Sequence, residues 1–281
     1  MQKTISNIIR FVRHSTGKDL SLYDKDFLTR ILKKKMHEAG FRHARKYETF
    51  LKHHPEEVPA IIDSFNITYS EFFRDWLVMA LLEKWIFPFL LSNLEKREQK
   101  EIRIWSAATA SGQEIYSIAM LLDDLYLTYH QKIPVRIFAS DICDSEIEKA
   151  KEGFYPESQL QKVPLKFLNE YFYPQHKGYK LIPRIRELVQ FFTYDLLDIH
   201  TKSPPASIFG SFDLIFCSNL LIYYNARARE QIMKKMKNNL ANGGLLITSD
   251  AEKEIIERHK LHAVCPPAPV FQKEETLKNQ E

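Results

Sequence analysis

From residue 102 onward the sequence alternates between short apolar runs and longer amphipathic segments, and this alternation constrains the fold more than any other feature. The short runs have the composition of strands, and the longer segments carry apolar side chains at helical spacing. Such alternation predicts a mostly parallel sheet with helices on both faces. The predicted strands cover residues 102–107, 135–140, 188–193, 214–217 and 245–248, with a tight turn at Gly243-Gly244 before the last, and the predicted helices cover 114–129, 144–152 and 226–240.

The turn between the first predicted strand and its helix is made of small residues, from Ala107 to Gly112, with Glu114 directly after it. Small residues at a strand-to-helix turn let the backbone approach a nucleotide-like ligand at the helix N-terminus. The alternative interpretation is an ordinary connecting loop, and this turn alone does not decide between the two.

Polar side chains recur where the predicted parallel strands end. Because ligands of open α/β sheets bind at the carboxyl ends of the strands, these residues are candidates for one site. A carboxylate such as Asp141 can accept hydrogen bonds from both hydroxyls of a ribose. The candidates after the second, third and fourth strands are Asp141, Asp195, Leu196, Ser218 and Asn219.

The turn lacks the features of a phosphate site. Of the G-x-G-x-x-G pattern of dinucleotide sites only the last glycine is present, and neither Lys nor Arg lies in the turn. A small-residue turn followed by Glu114 favours a ligand with positive charge and no phosphate. S-adenosylmethionine, with its sulfonium and ammonium groups, fits this description.

The first 60 residues predict a basic helical region. They contain 13 Lys or Arg and 7 Asp or Glu, a net charge of +6, so the rest of the chain carries −2 of the total +4. Asp24 is the predicted N-cap of a helix with an apolar stripe and a basic run at residues 30–35. The run is either a docking surface for an anionic partner or a solvated face.

Residues 66–75 form a loop with two adjacent Phe residues followed by Arg74 and Asp75. The Phe pair anchors the loop, and Arg74 either points at a ligand or forms a structural ion pair. Residues 156–187 interrupt the strand–helix rhythm and predict an inserted subdomain, part helical and part antiparallel hairpin. The predicted domains are therefore 1–75, helical, and 76–281, α/β with this insertion.

Several motifs give the chain a specific family resemblance. They are the FFRD at 72–75, the WSA at 105–107, the SGQE at 111–114, the YSIAM at 116–120, the ASDI at 139–142, the AKEGFY at 150–155, the FDLIFCSNLLIYY at 212–224 and the NGGLL at 242–246. In this order they resemble the CheR family of chemotaxis receptor methyltransferases, which are protein-glutamate O-methyltransferases. The resemblance spans nearly the whole chain and implies a Rossmann-like S-adenosylmethionine-dependent methyltransferase sheet with an N-terminal all-α domain and a small inserted β-subdomain.

The resemblance also implies roles for individual residues. Glu114 contacts the methionine ammonium, Asp141 the ribose, and Asp195 and Leu196 flank the adenine. Tyr223 faces the transferred methyl and is, with Arg74, the predicted catalytic pair. The cofactor-binding set implied by the resemblance is Thr68, Ser70, Arg74, Glu114, Asp141, Asp195, Leu196, Ser218 and Asn219.

The implied reaction transfers the methyl group of S-adenosylmethionine to glutamates in the cytoplasmic coiled coil of a chemoreceptor. The basic run at 30–35 is then a candidate docking surface, and the inserted subdomain is a candidate site for a tethering peptide at the receptor C-terminus. Neither nucleic acid nor membrane insertion is expected. Three widely spaced cysteines and the lack of a secretory signal favour the cytoplasm, and no metal-ligand spacing is present.

The sequence departs from the family pattern at five places. Ala108 stands where the family often has a second Gly, and Ile115 where it usually has Pro. Asp195 stands where it often has Asn, and Ser218 where it usually has Arg. Residues 249–252 read S-D-A-E instead of G-H-S-E. Two alternatives stay open: a methyltransferase acting on RNA or a small molecule, and a non-catalytic signalling adapter that binds cofactor or receptor.

Overall fold

The computed structural model describes residues 2–94, 100–129, 134–205 and 211–273. Its contacts divide the chain into two compact units. The first comprises Met1–Ile67 and Leu220–Gln231, and the second Thr68–Asn219 and Ile232–Glu281. The domain limits at 75 and 76 stay a prediction.

The first unit is helical, as predicted. Asp24 caps its second helix, because its Oδ1 accepts hydrogen bonds from the N–H groups of Asp26 (2.9 Å) and Phe27 (3.1 Å). The apolar stripe of that helix packs in the core of the unit with residues of the neighbouring helices. The helices are α1 (Gln2–Thr16), α2 (Lys25–Glu38), α3 (Ala44–His53) and α4 (Val58–Asp63), with 3₁₀ turns at Leu20–Leu22 and Pro55–Glu57.

The segment Leu220–Gln231 adds aromatic rings to this unit. Tyr224 stacks on Tyr23 with 4.9 Å between ring centroids, and Tyr223 lies 4.9 Å from Phe27. The Asp24 N–H donates a hydrogen bond to the Tyr223 carbonyl oxygen at 2.8 Å. This segment and the start of α2 therefore share one aromatic cluster.

The second unit contains a seven-stranded sheet in the order β6-β2-β1-β7-β8-β10-β9. The first five strands in this order are parallel, and β10 and β9 are antiparallel. All five predicted strands are found, and the predicted fold class is confirmed. The strands are β1 (Ile102–Ala107), β2 (Val135–Asp141), β6 (Val189–Thr193), β7 (Phe212–Phe216), β8 (Leu240–Ile247), β9 (His262–Ala263) and β10 (Val270–Gln272).

The predicted tight turn at Gly243-Gly244 is wrong, because both glycines lie within β8. The register of β8 against β7 shifts between Phe212 and Leu214. At Gly244 a Cβ atom would lie 3.0 Å from the carbonyl oxygens of Ala241 and Phe212. The glycines thus permit an irregular, crowded strand rather than a reversal of the chain.

The helices of the second unit cover the parallel sheet. The helical stretch after residue 75 is continuous but contains a π-helical turn at Leu82–Ile86. Its buried side chains pack with those of β1 and the following helix in one core. The helices are α5 (Trp76–Leu81), α6 (Phe87–Asn93), α7 (Gln113–Tyr129), α8 (Asp144–Glu152), α9 (Leu165–Tyr171), α10 (Pro183–Arg186), α11 (Ala226–Asn239, shared with the first unit) and α12 (Lys253–Glu257).

The inserted subdomain contains the predicted helix and antiparallel hairpin, and a third strand completes a small sheet. Strands β3 (Phe154–Tyr155), β4 (Phe172–Gln175) and β5 (Gly178–Leu181) pair in the order β3-β5-β4. At Gly178 a Cβ atom would lie 2.4 Å from the Tyr155 carbonyl oxygen. Only glycine allows this approach between β5 and β3.

One helical stretch bears on the expectation that the chain does not insert into a membrane. Within the described part of the chain, the helical stretch Trp76–Asn93 is long and apolar enough to do so by length and composition alone. Core helices meet the same criterion, and Leu82, Ile86 and Phe87 of this stretch are fully buried. Trp76, Trp85 and Phe89 of the same stretch are exposed, so the stretch packs against its unit along one face only.

Candidate active site

The turn between β1 and α7 is held in an unusual backbone conformation. Ala108 and Ala110 have φ angles of 64° and 49°, in the left-handed region that non-glycine residues rarely adopt. Gly112 has φ 89°, and a Cβ atom there would lie 3.0 Å from the Ala150 Cβ. The turn therefore brings small side chains and bare backbone to the carboxyl end of β1.

Asp141, at the end of β2, fixes this turn. Its Oδ2 accepts a hydrogen bond from the Ala110 N–H at 2.8 Å, and its Oδ1 accepts one from the Cys143 N–H at 3.0 Å. Burial raises the pKa of the Asp141 carboxyl, and hydrogen bonds from the backbone N–H groups of Cys143, Ala110 and Ile142 act in the opposite direction. A carboxylate has about four lone-pair sites, so it can also accept from a ligand hydroxyl.

The loop before α5 is anchored as its two Phe residues predict. Phe72 is fully buried and packs edge-on against Tyr155 and Phe172 at 4.8 and 5.5 Å. Phe73 has φ 48°, and its N–H donates to the Ser117 Oγ at 3.0 Å. The residue that follows Phe73 is therefore presented from a fixed backbone.

Arg74, the residue so presented, is not paired with its neighbour Asp75. The Asp75 carboxylate caps α5 by accepting from the N–H groups of Leu77 and Val78, both at 3.1 Å. The Arg74 guanidinium lies over the Tyr69 ring, 5.4 Å from its centroid. Among the described residues Arg74 takes part in no ion pair, so the alternative of a structural salt bridge is not supported.

A cavity of about 430 Å³ lies at the carboxyl ends of β1, β7 and β8, within the usual range of ~300–1,000 Å³ for ligand sites. Four of the predicted site residues line it: Arg74, Glu114, Ser218 and Asn219. The same four line a small adjoining cavity together with Ser70 and Thr109, among others. The structure thus places five predicted residues around one cleft.

Glu114 lies in the first turn of α7, where the helix N-terminus favours negative charge. Burial nevertheless raises the pKa of its carboxyl to about 7. A hydrogen bond with Ser218 and the charge of Arg74 act in the opposite direction, while Glu252 and Asp75 add to the rise. A carboxylate in this setting gains stability from a cation bound in the cavity.

Glu252 is a site residue that the sequence analysis did not assign. Its side chain is fully buried, and its Oε2 accepts from the Asn219 N–H at 2.8 Å and lies 2.7 Å from the hydroxyls of Thr248 and Ser249. A signal was present, because S-x-x-E at 249–252 matches the capping box that the structure contains.

Two residues at the cleft have a buried polar atom without a hydrogen-bond partner in the described structure: the Asn219 Oδ1 and the Thr109 Oγ1. Buried polar atoms are normally hydrogen-bonded, and an exception calls for an explanation. Both residues line the small cavity that holds Glu114. A ligand bearing hydroxyl or amine groups would satisfy them.

The remaining predicted residues do not line the two cavities. Thr68 is exposed, and Leu196 is buried. Asp195 is exposed, and its Oδ1 accepts from the Leu197 N–H at 2.8 Å. Tyr223 belongs to the helical unit. Their contacts with a cofactor stay predictions.

A parallel α/β sheet with this cleft at its carboxyl edge, and with the Glu114 carboxylate placed for a cation, fits the class of S-adenosylmethionine-dependent methyltransferases. The comparisons with known proteins agree. The model of the CheR methyltransferase SAM-binding domain matches residues 68–265, and that of the CheR all-alpha domain matches residues 3–65. The chain belongs to the CheR methyltransferase family.

Curated proteins that are similar to this chain are named chemotaxis protein methyltransferases. The chemotaxis protein methyltransferase of Borreliella burgdorferi is 30% identical over 254 residues, which are 88% of this chain and 87% of that protein. That of Listeria monocytogenes is 30% identical over 261 residues (90% and 91%). That of Escherichia coli K12 is 29% identical over 248 residues (87% and 82%). The predicted cofactor, S-adenosylmethionine, is confirmed by the family, and the orphaned Asn219 and Thr109 oxygens and the Glu114 carboxylate fit it.

Proposed function

We propose that this methyltransferase forms methyl esters on glutamate side chains of chemoreceptor cytoplasmic domains. The observation that carries the proposal is the Arg74 guanidinium, which lines the cofactor cleft from a rigid loop and takes part in no ion pair among the described residues. A planar guanidinium matches the two oxygens of a carboxylate. Arg74 also belongs to the cofactor-binding set that the family resemblance implies, because S-adenosylmethionine carries a carboxylate of its own, so the test below measures turnover and cofactor affinity separately.

The chemistry requires positioning rather than a strong base. A glutamate carboxylate is ionised at neutral pH, with an ordinary pKa near ~4.3. When bound, S-adenosylmethionine supplies an electrophilic methyl group on its sulfonium. Arg74 orients the substrate carboxylate toward that methyl, and the cleft removes water from the carboxylate. The Tyr223 hydroxyl is the second donor, an assignment that rests on the family resemblance.

The other predicted site residues are proposed to bind the cofactor. Glu114 binds the ammonium of the cofactor, and the Asp141 carboxylate, already anchored to the turn, accepts from the ribose. Asp195 and Leu196 flank the adenine. Thr68, Ser70, Ser218 and Asn219 complete the contacts. Family resemblance supports these roles, and for Glu114, Ser70, Ser218 and Asn219 the geometry of the cleft supports them too.

The proposed partner is the cytoplasmic coiled coil of a chemoreceptor, which places the reaction in the cytoplasm. Arg30, Lys33 and Lys34 are exposed on α2 and form the proposed docking surface for the acidic methylation region. The three-stranded sheet of the inserted subdomain is the proposed site for a tethering peptide at the receptor C-terminus.

The proposal is tested by incubating the protein with S-adenosylmethionine labelled in its methyl group and a receptor cytoplasmic fragment. Methyl esters release methanol in mild base, whereas N-methyl groups do not. We expect base-labile label on the fragment, and about a hundredfold slower single-turnover transfer by Arg74→Ala. Arg74→Lys should recover little, because one ammonium does not reproduce the guanidinium fork.

Calorimetry on the same preparations supplies the control. The affinity of Arg74→Ala for S-adenosylmethionine should fall much less than its rate of methyl transfer. Base-stable label, or label on RNA instead of the receptor, would contradict the proposed substrate. Cofactor binding without transfer to any acceptor would favour the adapter alternative. A destabilised but fully active Arg74→Ala would remove the catalytic role of this residue.

A further inference from the structure

Tyr69 is an exposed aromatic residue at the edge of the cleft, in the same loop as Arg74. Its side chain is 63% exposed, and it lines the smaller cavity together with Arg74, Glu114 and Ser218, among others. A side chain this open to water is not a core residue. Its role is therefore decided by its contacts at the cleft rather than by packing.

The Tyr69 ring contacts the charged end of Arg74. The Arg74 Cζ lies 5.4 Å from the ring centroid, within the ~6 Å at which the face of an aromatic ring attracts a guanidinium. Phe73, directly before Arg74, is held by the bond from its N–H to the Ser117 Oγ. The backbone thus fixes where the Arg74 side chain begins, and the ring contact fixes where its guanidinium lies.

The Tyr69 side chain is in turn connected to the inserted subdomain through Glu71. The Glu71 Oε2 accepts a hydrogen bond from the Lys162 Nζ at 2.6 Å, between residues that are 91 positions apart in the chain. The Glu71 carboxylate also accepts from the Tyr69 hydroxyl. Both ends of Tyr69 therefore have a partner, with Arg74 at the ring face and Glu71 at the hydroxyl.

The ring contact matters because Arg74 takes part in no ion pair among the described residues that could hold its guanidinium instead. Arginine has many rotamers, and fixing one of them costs conformational entropy. Glu114 lines the same two cavities, so a released guanidinium can turn toward that carboxylate instead of a substrate carboxylate. A ring that orders the guanidinium in advance reduces both losses.

We propose that Tyr69 is a positioning residue that holds the Arg74 guanidinium in the orientation that receives the substrate carboxylate. Tyr69 acts through Arg74, and its ring rather than its hydroxyl is the group that matters for methyl transfer. This inference rests on the proposed function, in which Arg74 orients a glutamate carboxylate toward the methyl group of S-adenosylmethionine.

The test is a double-mutant cycle on the full-length protein, measured as single-turnover methyl transfer with S-adenosylmethionine and a receptor fragment both saturating. Tyr69→Leu should slow transfer about threefold to fivefold, the rate equivalent of one exposed cation–π contact. Tyr69→Phe keeps the ring and should keep most of the wild-type rate. In the Arg74→Ala background, Tyr69→Leu should cause no further loss.

The matched control is Tyr126→Leu, which changes another exposed tyrosine of the same unit. Tyr126 lines neither of the two cavities, so this variant should keep the wild-type rate. Thermal unfolding of all variants checks their folding, and we expect little change in Tm because both tyrosines are exposed.

Three results would overturn the inference. The first is a wild-type rate for Tyr69→Leu. The second is a Tyr69→Phe variant as slow as Tyr69→Leu, which would assign the effect to the hydroxyl. The third is an equal loss in the Arg74→Ala background, which would give Tyr69 a contact of its own with substrate or cofactor. A wild-type rate for Arg74→Ala alone would instead contradict the proposed function, and the inference with it.

Discussion

At the scale of single residues, the cleft holds groups that are poorly stabilised in the free protein. Glu114 is the clearest case, because burial raises its pKa to about 7 from the ordinary 4.5. A carboxyl with a raised native pKa destabilises the fold where it is ionised. That destabilisation is complete above about pH 7 and is relieved as the pH falls toward 4.5. A bound ammonium reverses the preference, because it favours the ionised form.

The raised pKa of Glu114 predicts that the affinity for a ligand with an ammonium group depends on pH. S-adenosylhomocysteine, whose positive charge is its ammonium, should bind about tenfold more tightly at pH 8 than at pH 6, since the ionised fraction of Glu114 rises in this range. Glu114→Gln should flatten this profile and lower affinity, yet raise the Tm of the free protein at pH 8 by a few degrees. Calorimetry and thermal unfolding measure both. A variant with an unchanged pH profile and a lower Tm would give Glu114 a structural role.

The sequence located Glu114, Ser218 and Asn219 after strand ends, and the structure brings them to one cleft because parallel strands end at the same edge of a sheet. Arg74 reaches the same cleft from the loop before α5. The role of Glu252 could not be predicted. Its S-x-x-E spacing indicates a local capping box, whereas its bond to Asn219 joins residues 33 positions apart. Strand-end patterns predict which residues meet, but not which buried group holds them.

At the scale of elements, the turn between β1 and α7 combines three left-handed residues, of which one is glycine. The family often has glycine at position 108, where this chain has alanine with φ 64°. We expect Ala108→Gly to raise the free energy of unfolding by about 0.5–1 kcal/mol, the relief of left-handed strain less the entropy of an added glycine. Gly112→Ala should lower it by about 1–2 kcal/mol or more, because φ and the Ala150 contact both oppose a Cβ.

Chemical denaturation of the two variants measures these changes, with Ala107→Gly as the matched control. Ala107 is the last residue of β1 and has no left-handed φ, so glycine should destabilise the protein there. If Ala107→Gly and Ala108→Gly change the free energy of unfolding in the same direction, the left-handed conformation of the turn is not the cause of the change.

The sequence predicted those helices and strands that have a clear hydrophobic pattern. The strands β1, β2, β6 and β7 are apolar runs next to helices, which is the pattern of a buried parallel sheet. The strands β9 and β10 are two and three residues long and lie around the cis Pro266-Pro267 bond, so no periodicity could reveal them. The two glycines in β8 read as a turn because a strand bulge and a turn share that sequence signal.

At the scale of the whole molecule, charge is distributed unevenly along the chain, with +6 in residues 1–60 and −2 in the rest. The structure narrows the candidate docking surface on α2. Lys35 is partly buried and pairs with Glu38 at 3.0 Å, whereas Arg30, Lys33 and Lys34 are exposed. Lys34 makes a longer contact with Glu38, at 3.8 Å. Exposed charges of one sign act mainly on the rate of encounter with an oppositely charged partner, and salt screens them.

Reversing Arg30, Lys33 and Lys34 to Glu should therefore raise KM for a receptor fragment by about tenfold at low ionic strength and leave kcat nearly unchanged. The difference from the wild type should shrink as salt is raised, because the screening length falls from ~10 Å at 0.1 M to ~3 Å at 1 M. The matched control reverses three exposed cations of the second unit, Lys234, Arg258 and Lys260, which changes the net charge equally. If both triple variants raise KM alike, net charge alone governs the encounter, and α2 is not a docking surface. If neither changes KM at low salt, the basic run on α2 is a solvated face and the partner binds elsewhere.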